Sequence, residues 1–474
     1  MPTMGEREGA RVERSEPLEN ALEHARAFLD RLPDRDVGWS ASVDELRSAL
    51  SVPLPEDPID PHVVIEDLVK GSDGGIVGTT SPRYFGFVIG GASPAAMAAD
   101  WLTSVWDQNA GLFVAGPAAS VTEEVAGRWI LELLGLPASC SYGFVTGCQM
   151  AHFTALAAAR FDILERAGWD VTEEGLQGSP PITVIAGAQR HVTIDRALRY
   201  LGIGKKSIRA VDADDQGRMR IDALEAALAT TVGPTIVCAQ AGNVNTGSFD
   251  PIDRICELAH DAGAWVHVDG AFGLWAAASP TRRHLVKGSE KVDSWATDAH
   301  KWLNAPYDCG IAICAHPPSH RAAMSVHASY LIHSEGAKER DEMDWVPEFS
   351  RRARGVPVYA AIRSLGRNGV AELIDRSCDN ALRFAEKLGA APDVEILNDV
   401  VLNQVLVRFL DPGGDHDSRT ARVVRGVQED GTCWLSGSRW QDKHVMRISV
   451  SNWATTPEDV DMSVAAILRV AASV

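Results

Sequence analysis

The sequence predicts an α/β protein built on a mostly parallel sheet, with a smaller α+β domain towards the C-terminus. Three observations carry this expectation. From about residue 140, short apolar runs alternate with helical stretches, the pattern of strands covered on both faces and joined by crossover helices. Beyond about residue 390 the order changes to closely spaced strand-like runs followed by one terminal helix. The 474 residues, 45% hydrophobic and 23% charged, exceed a single minimal core and have the composition of an ordinary globular protein.

Near the start, "PLENALEHARAFLDRL" sets Leu18, Leu22, Ala25, Leu29 and Leu32 at spacings of three and four, an amphipathic helix. The following "SVPLPEDPIDP" holds too many prolines for a helix and reads as a linker or arm. Strands are expected at "YGFVT" near 142, "ITVIA" near 182, "SIRAV" near 207, "TIVCA" near 235, "WVHVD" near 265 and "GIAIC" near 310. Between them, "MAHFTALAAARFDILERAG" and "IDALEAALATT" carry helical periodicity. Further strands are expected at "VEIL", "NQVLVRFL", "GTCWLS" and "HVMRISV", then a helix from Pro457 capped by Thr455 or Thr456. The expected division is an N-terminal helical arm over 1–90, a large α/β domain over 91–375 and a small α+β domain over 376–474. No internal repeat or low-complexity tract is evident.

Forty-five Lys and Arg against 64 Asp and Glu give a net charge of −19, which argues against nucleic acid or anionic lipid as a partner. The N-terminus has no apolar core of a secretory signal, and no run of 18 apolar residues could span a bilayer. The eight cysteines are scattered, with no spacing that suggests zinc, so no metal site is indicated and reduced thiols in a cytoplasmic protein are expected.

Four stretches point to chemistry. In "AWVHVDGAFGLW" a buried strand ends in Asp269, a carboxylate at the carboxyl edge of a parallel sheet, where ligands bind in such folds. A helix-capping aspartate is the alternative. About thirty residues on, "SWATDAHKWLNAP" places Lys301 at the end of another predicted strand. Taken alone, such a lysine is as often a surface side chain with its stem on apolar surface; together with Asp269 it could face one crevice. In "GFVTGCQMAHFTALAAAR" a strand passes through Thr146, Gly147 and Cys148 into a helix whose free N–H groups suit a phosphate. In "IAGAQRHVTIDRALRYLG" His191 could stack on an aromatic ligand or exchange protons, or could be a satisfied loop histidine. "GIGKKS" lacks the spacing of a phosphate loop.

Together these stretches resemble the group II pyridoxal-phosphate-dependent decarboxylases, the family of aromatic amino acid and glutamate decarboxylases. The resemblance runs through "SPRYFGFVIGGASPAAMAADWL", "QRHVTIDRA", "NTGSFDP", "HVDGAFG", "DSWATDAHKWLNAPYDCG", "RRARGVPVYAAIRSLG" and "HVMRISVSNWATTPEDV", nearly the whole chain. It implies the fold of the fold-type I pyridoxal-phosphate enzymes, with pyridoxal 5'-phosphate as cofactor. By resemblance, Lys301 would form a Schiff base with the cofactor aldehyde, with burial and nearby positive charge lowering its pKa. Asp269 would partner the pyridine nitrogen, while Ala271 and His191 flank the ring. Gly147, Cys148 and Gln149 would hold the phosphate, with polar contacts from Asp298 and His300. Asp298 departs from the asparagine of many relatives, and its carboxylate would repel phosphate unless protonated or turned towards a cation. Asn243 falls where relatives have threonine near the cofactor.

Arg447 matches an arginine near the substrate carboxylate, with a strand-edge salt bridge as the alternative. Phe87, Val88 and Trp101 fall in the part that forms the side-chain pocket in relatives, favouring an aromatic or apolar substrate. Glu342 stands where many decarboxylases carry a loop tyrosine that returns a proton to the substrate carbon, and Tyr330 and His327 are substitute acids nearby. The expected reaction is decarboxylation of an L-amino acid to its amine in a homodimer. The missing tyrosine keeps open another reaction on the same scaffold: aldehyde synthesis, aldolase-type cleavage or amino transfer. A non-catalytic binding protein is disfavoured by the intact Lys301 and Asp269, and a nicotinamide dehydrogenase by the absence of GxGxxG after an early strand.

Overall fold

The computed structural model describes residues 15–326 and 339–474. The first helix spans Glu16–Arg31, and helices Val43–Leu50 and Pro61–Ser72 follow it. The proline-rich stretch between the second and third stays irregular, and the third starts where Asp60 accepts from the His62 N–H at 2.8 Å. Asn20 Nδ2 donates to Glu66 Oε1 at 2.7 Å and ties the first helix to the third.

Seven strands make the large sheet: β1 (Ser141–Val145), β2 (Thr183–Gly187), β3 (Ile208–Val211), β4 (Thr235–Gln240), β5 (Trp265–Asp269), β6 (Ser294–Asp298) and β7 (Gly310–Cys314). Their order is β1-β7-β6-β5-β4-β2-β3. All neighbours are parallel except β7, which runs antiparallel to both β1 and β6. Adjacent residues enter opposite cores. Val184, Ile236 and Trp265 pack beneath helices Cys148–Arg166 and Val192–Tyr200, while Ile185, Val237 and Val266 join Leu131, Ile252 and Val370 on the other face. Both faces are covered, which is why these strands read as unbroken apolar runs.

The small sheet is antiparallel, in the order β10-β11-β9-β8, from β8 (Val394–Ile396), β9 (Gln404–Phe409), β10 (Ser436–Trp440) and β11 (Lys443–Ser449). Val405, Val407, Met446 and Ile448 share a core with Phe384, Val423 and Ile467 from three covering helices. The last helix, Pro457–Ser473, begins with a capping box between Thr456 and Asp459. The long helix Gly355–Gly389 breaks at Gly366, where φ is 63°, and then runs straight through 375–376.

One strand differs from expectation. In "GTCWLS" only Ser436 belongs to β10. The preceding backbone pairs elsewhere: Phe85 N donates to Trp434 O at 2.7 Å and Trp434 N to Arg83 O at 3.1 Å, fastening the N-terminal segment to the small domain.

Candidate active site

Four strand ends converge on one edge of the large sheet. β5 delivers Asp269, and its parallel neighbour β6 pairs Ala296 with Asp269, so Asp298 lies two residues further along the same edge. The turn after β6 returns Lys301 to that edge, its Nζ 3.0 Å from Asp298 Oδ2. β1 leads through Gly147 into helix Cys148–Arg166, and β2 leads to His191, the N-cap of helix Val192–Tyr200. The Gly147 turn needs a bare neighbour: a Cβ on Gly310 would fall 2.4 Å from the Gly147 carbonyl carbon.

Burial alone would raise the Asp269 pKa, but the hydrogen bond offered by His152, 3.4 Å from Oδ2, and the charge of Lys301 outweigh it and hold the carboxyl well below the usual range. Asp269 Oδ1 also accepts from Ala271 N at 3.1 Å. Burial opposes the charge on Lys301, yet Asp298 and then Asp269 prevail and raise its pKa above the ordinary lysine value. The expected lowering is therefore not found: the nearest charged partners of this amine are carboxylates, not cations. Burial lowers the His191 pKa against the pull of Asp269, and its Nδ1 meets Thr193 Oγ1 at 2.7 Å. His300 is likewise lowered by burial, against the pull of Asp298. It accepts from Cys309 N through Nδ1 at 3.0 Å and stacks on Tyr307 with centroids 4.3 Å apart.

Other expected residues are placed differently. The Cys148 N–H, expected on a phosphate, donates to Asp298 Oδ1 at 2.6 Å, so Asp298 bridges the helix N-terminus and the lysine. Gln149 donates to Thr193 O at 3.4 Å and leaves its buried Oε1 unpartnered. Asn243 holds its own loop, accepting from Asn245 N and Thr246 N and donating to Gln189 O at 3.2 Å. Arg447 is buried on β11 with Nε unpartnered, and it forms no ion pair among the described residues; it acts electrostatically on His191. Phe87 lies over Trp434 with centroids 5.7 Å apart, on left-handed backbone at φ 53°. Val88 is buried in the main core and Trp101 is 39% exposed. Glu342 is buried in an ion cluster with Arg340 Nε at 2.6 Å and Ser120 Oγ at 3.1 Å. His327 and Tyr330 lie outside the described residues.

His152, His267 and Ser294 join Asp269 in this layer and were not singled out in the sequence. Two spacings carry the signal: His152 follows Cys148 by one helical turn, and His267 precedes Asp269 by two residues on one strand face.

These residues fit pyridoxal phosphate. An amine and an ionised carboxylate share the carboxyl edge with a helix N-terminus and an uncharged imidazole, and Gln149 and Arg447 keep buried polar atoms free for a ligand. Fold and site together define a fold-type I pyridoxal-phosphate enzyme. Residues 44–410 match the pyridoxal-dependent decarboxylase conserved domain, and the chain belongs to that family, as a pyridoxal-phosphate-dependent carboxy-lyase. An aromatic-L-amino-acid decarboxylase of Bacillus atrophaeus is 27% identical over 444 residues, 91% of this chain and 90% of the relative. A 4-hydroxyphenylacetaldehyde synthase of Rhodiola rosea is 26% identical over 415 residues, 84% of this chain and 83% of the relative. The crystal structure of Oryza sativa TDC with PLP and tryptamine superposes with a TM-score of 0.90 over 99% of each chain, at 23% identity.

Proposed function

We propose that this carboxy-lyase removes CO2 from an L-amino acid with an aromatic or apolar side chain and releases the amine. Arg447 is the observation that carries the reading. A buried guanidinium without a counter-ion is costly, and the α-carboxylate of an amino acid would supply the missing partner in fork geometry. The names of two relatives, an aromatic-L-amino-acid decarboxylase and a 4-hydroxyphenylacetaldehyde synthase, support an aromatic side chain.

When bound, pyridoxal phosphate supplies an electron-poor ring that takes up the electron pair left by departing CO2. Lys301 Nζ binds the aldehyde once it has given up the proton that Asp298 Oδ2, 3.0 Å away, otherwise holds on the amine. Asp269 holds a proton at the ring nitrogen. His191 and Ala271 confine the ring, and the Gly147–Gln149 turn with His300 binds the phosphate. Asp298 is thus assigned to the lysine rather than to the phosphate, because a carboxylate beside an ammonium is stabilised where one beside a phosphate is not.

The test is to incubate holoenzyme with a panel of L-amino acids and measure CO2, amine, aldehyde, ammonia and peroxide together. Amine with equimolar CO2 and no peroxide is expected. Absence of CO2 from every amino acid, with substrate binding seen in the cofactor absorbance, would refute decarboxylation. Glu342 favours one second reading. Locked in its ion cluster, it returns no proton to the substrate carbon, and the amino acid would then react with dioxygen and water to give aldehyde, CO2, ammonia and hydrogen peroxide. Stoichiometric peroxide would select that reading.

The reading includes a cytoplasmic homodimer. Leu18, Leu22 and Leu29 on the first helix and Leu102, Val105 and Trp106 on helix Pro94–Trp106 are exposed, and burying such apolar side chains against a second copy supports the dimer. All eight cysteines are buried free thiols, which suits a reducing compartment. No helix among the described residues is long and apolar enough to cross a membrane. Sedimentation equilibrium should give twice the chain mass; a monomer would refute the dimer.

A further inference from the structure

Behind Asp269 lies a row of buried polar groups that the proposed scheme does not use. Trp265 Nε1 donates to Ser294 Oγ at 2.9 Å, and Ser294 Oγ meets His267 Nδ1 at 2.9 Å. His267 Nε2 meets His152 Nδ1 at 2.9 Å, and His152 Nε2 stands 3.4 Å from Asp269 Oδ2. Ser294, His267 and His152 are fully buried and Trp265 nearly so, which shuts these groups off from bulk water.

The direction of every bond follows from one covalent fact: an indole N–H donates and never accepts. Ser294 therefore accepts at that end, and its own proton has a single acceptor among its contacts, His267 Nδ1. His267 then carries its proton on Nε2 and gives it to His152 Nδ1. His152 is left with an N–H on Nε2, facing Asp269 and, at 3.4 Å, Cys148 Sγ. Reversing the row strands the Ser294 proton in the core and, unless His152 becomes an imidazolium, sets a bare His152 lone pair against a carboxylate oxygen. Either fault leaves a buried polar group unsatisfied.

We infer that Trp265, Ser294, His267 and His152 form a one-way hydrogen-bond relay that presents a neutral N–H to Asp269, making His152 a positioning residue that holds this carboxylate ionised and oriented. The inference rests on the assignment of Asp269 to the ring nitrogen. Neutrality is what makes the relay useful. An imidazolium at His152 would cancel the field of Asp269, whereas a neutral donor fixes the carboxylate and leaves its full charge facing the crevice. Burial keeps the next member of the row, His267, neutral, pushing its pKa down to about 3.

Two measurements test it. In the cofactor-free full-length protein with 15N-labelled histidine, His152 and His267 should both be neutral with the proton on Nε2 throughout the neutral pH range. An imidazolium or an Nδ1–H at His152 would overturn the relay. In the holoenzyme, His152→Leu should weaken cofactor binding about tenfold, the worth of one hydrogen bond to a charged group, and lower kcat with little change in KM. His152→Gln, whose amide nitrogen can stand in for Nε2, should recover most of both. A folded His152→Leu protein with wild-type cofactor affinity and kcat, or equal losses in the Leu and Gln variants, would reject the relay. Asp269→Asn separates the two readings. If it weakens cofactor binding and His152→Leu does not, the relay alone fails; if neither does, the assignment of Asp269 fails and the relay with it.

Discussion

Lys301 Nζ and Asp298 Oδ2 form a partly buried ion pair, 3.0 Å apart, at the N-terminus of helix Cys148–Arg166. The pair holds the lysine protonated at neutral pH, and a protonated amine cannot attack an aldehyde. Asp298→Asn removes the charge that raises the Lys301 pKa, so the free amine becomes available at lower pH. The rate at which cofactor-free protein captures pyridoxal phosphate, followed by stopped-flow absorbance, should rise with pH in both proteins, with the variant's profile displaced downward by about 1 to 3 pH units. Identical profiles would show that Asp298 does not hold the proton. Lys301→Ala should show no lysine-bound cofactor absorbance at any pH.

Arg447 predicts a separation of binding from stability. Burial lowers its pKa to about 10 and no anion among the described residues offsets that cost, so Arg447→Met removes a buried charge unpaired among them. The variant should denature no earlier than wild type, while KM for the amino acid rises about a hundredfold, the scale for losing one buried charge pair. A large loss of stability with an unchanged KM would assign the arginine to the small domain's packing instead.

The parts of this site that were legible in the sequence are those written in local order. Asp269 closes β5 and Lys301 follows the end of β6 by three residues, in a turn rather than at the strand end expected, and the glycine before helix Cys148–Arg166 marks a turn whatever surrounds it. Strand direction is different, because "GIAIC" reads the same whether β7 runs parallel or antiparallel to its neighbours. The backbone before β10 looks like a strand but forms an isolated bridge, to the segment around Phe85, some 350 residues away. The direction of the Lys301 pKa shift also depends on a distant choice, since its nearest charged partner could be read only once the turn after β6 was folded. The relay beneath Asp269 draws on two neighbouring strands and one helix, and each member alone is an ordinary buried polar residue.

Glu342 predicts a pH-dependent stability. Burial and the nearby Glu123, itself paired with Arg351 at 2.9 Å, raise its pKa from 4.5 to about 7 against the pull of Arg340. An acid whose pKa is raised by folding binds more protons folded than unfolded between these two values. Stability therefore falls as pH rises through that window, by up to about 3 kcal/mol. Glu342→Gln removes this term. Relative to wild type, the variant should gain stability between about pH 5 and about pH 8 in urea titrations; parallel losses in both proteins would place the titration elsewhere.

Gly310 carries the most local prediction. Its absent side chain is what lets β7 pass under the Gly147 turn: a Cβ would meet the Gly147 carbonyl carbon at 2.4 Å and Cys148 N at 2.8 Å, both backbone atoms that cannot swing aside. Gly310→Ala should cost about 1 to 3 kcal/mol in denaturant titrations, the usual range for overpacking, and should weaken pyridoxal-phosphate binding because the displaced turn is the one assigned to the phosphate. Gly204 is the matched control, since a Cβ there meets nothing within 4 Å and its φ of −70° suits alanine. Gly204→Ala should be neutral or stabilise by a few tenths of a kcal/mol through the unfolded chain, about 0.4 at the lower end of such effects. If both substitutions weakened cofactor binding alike, the close approach at Gly310 would not be what shapes the turn.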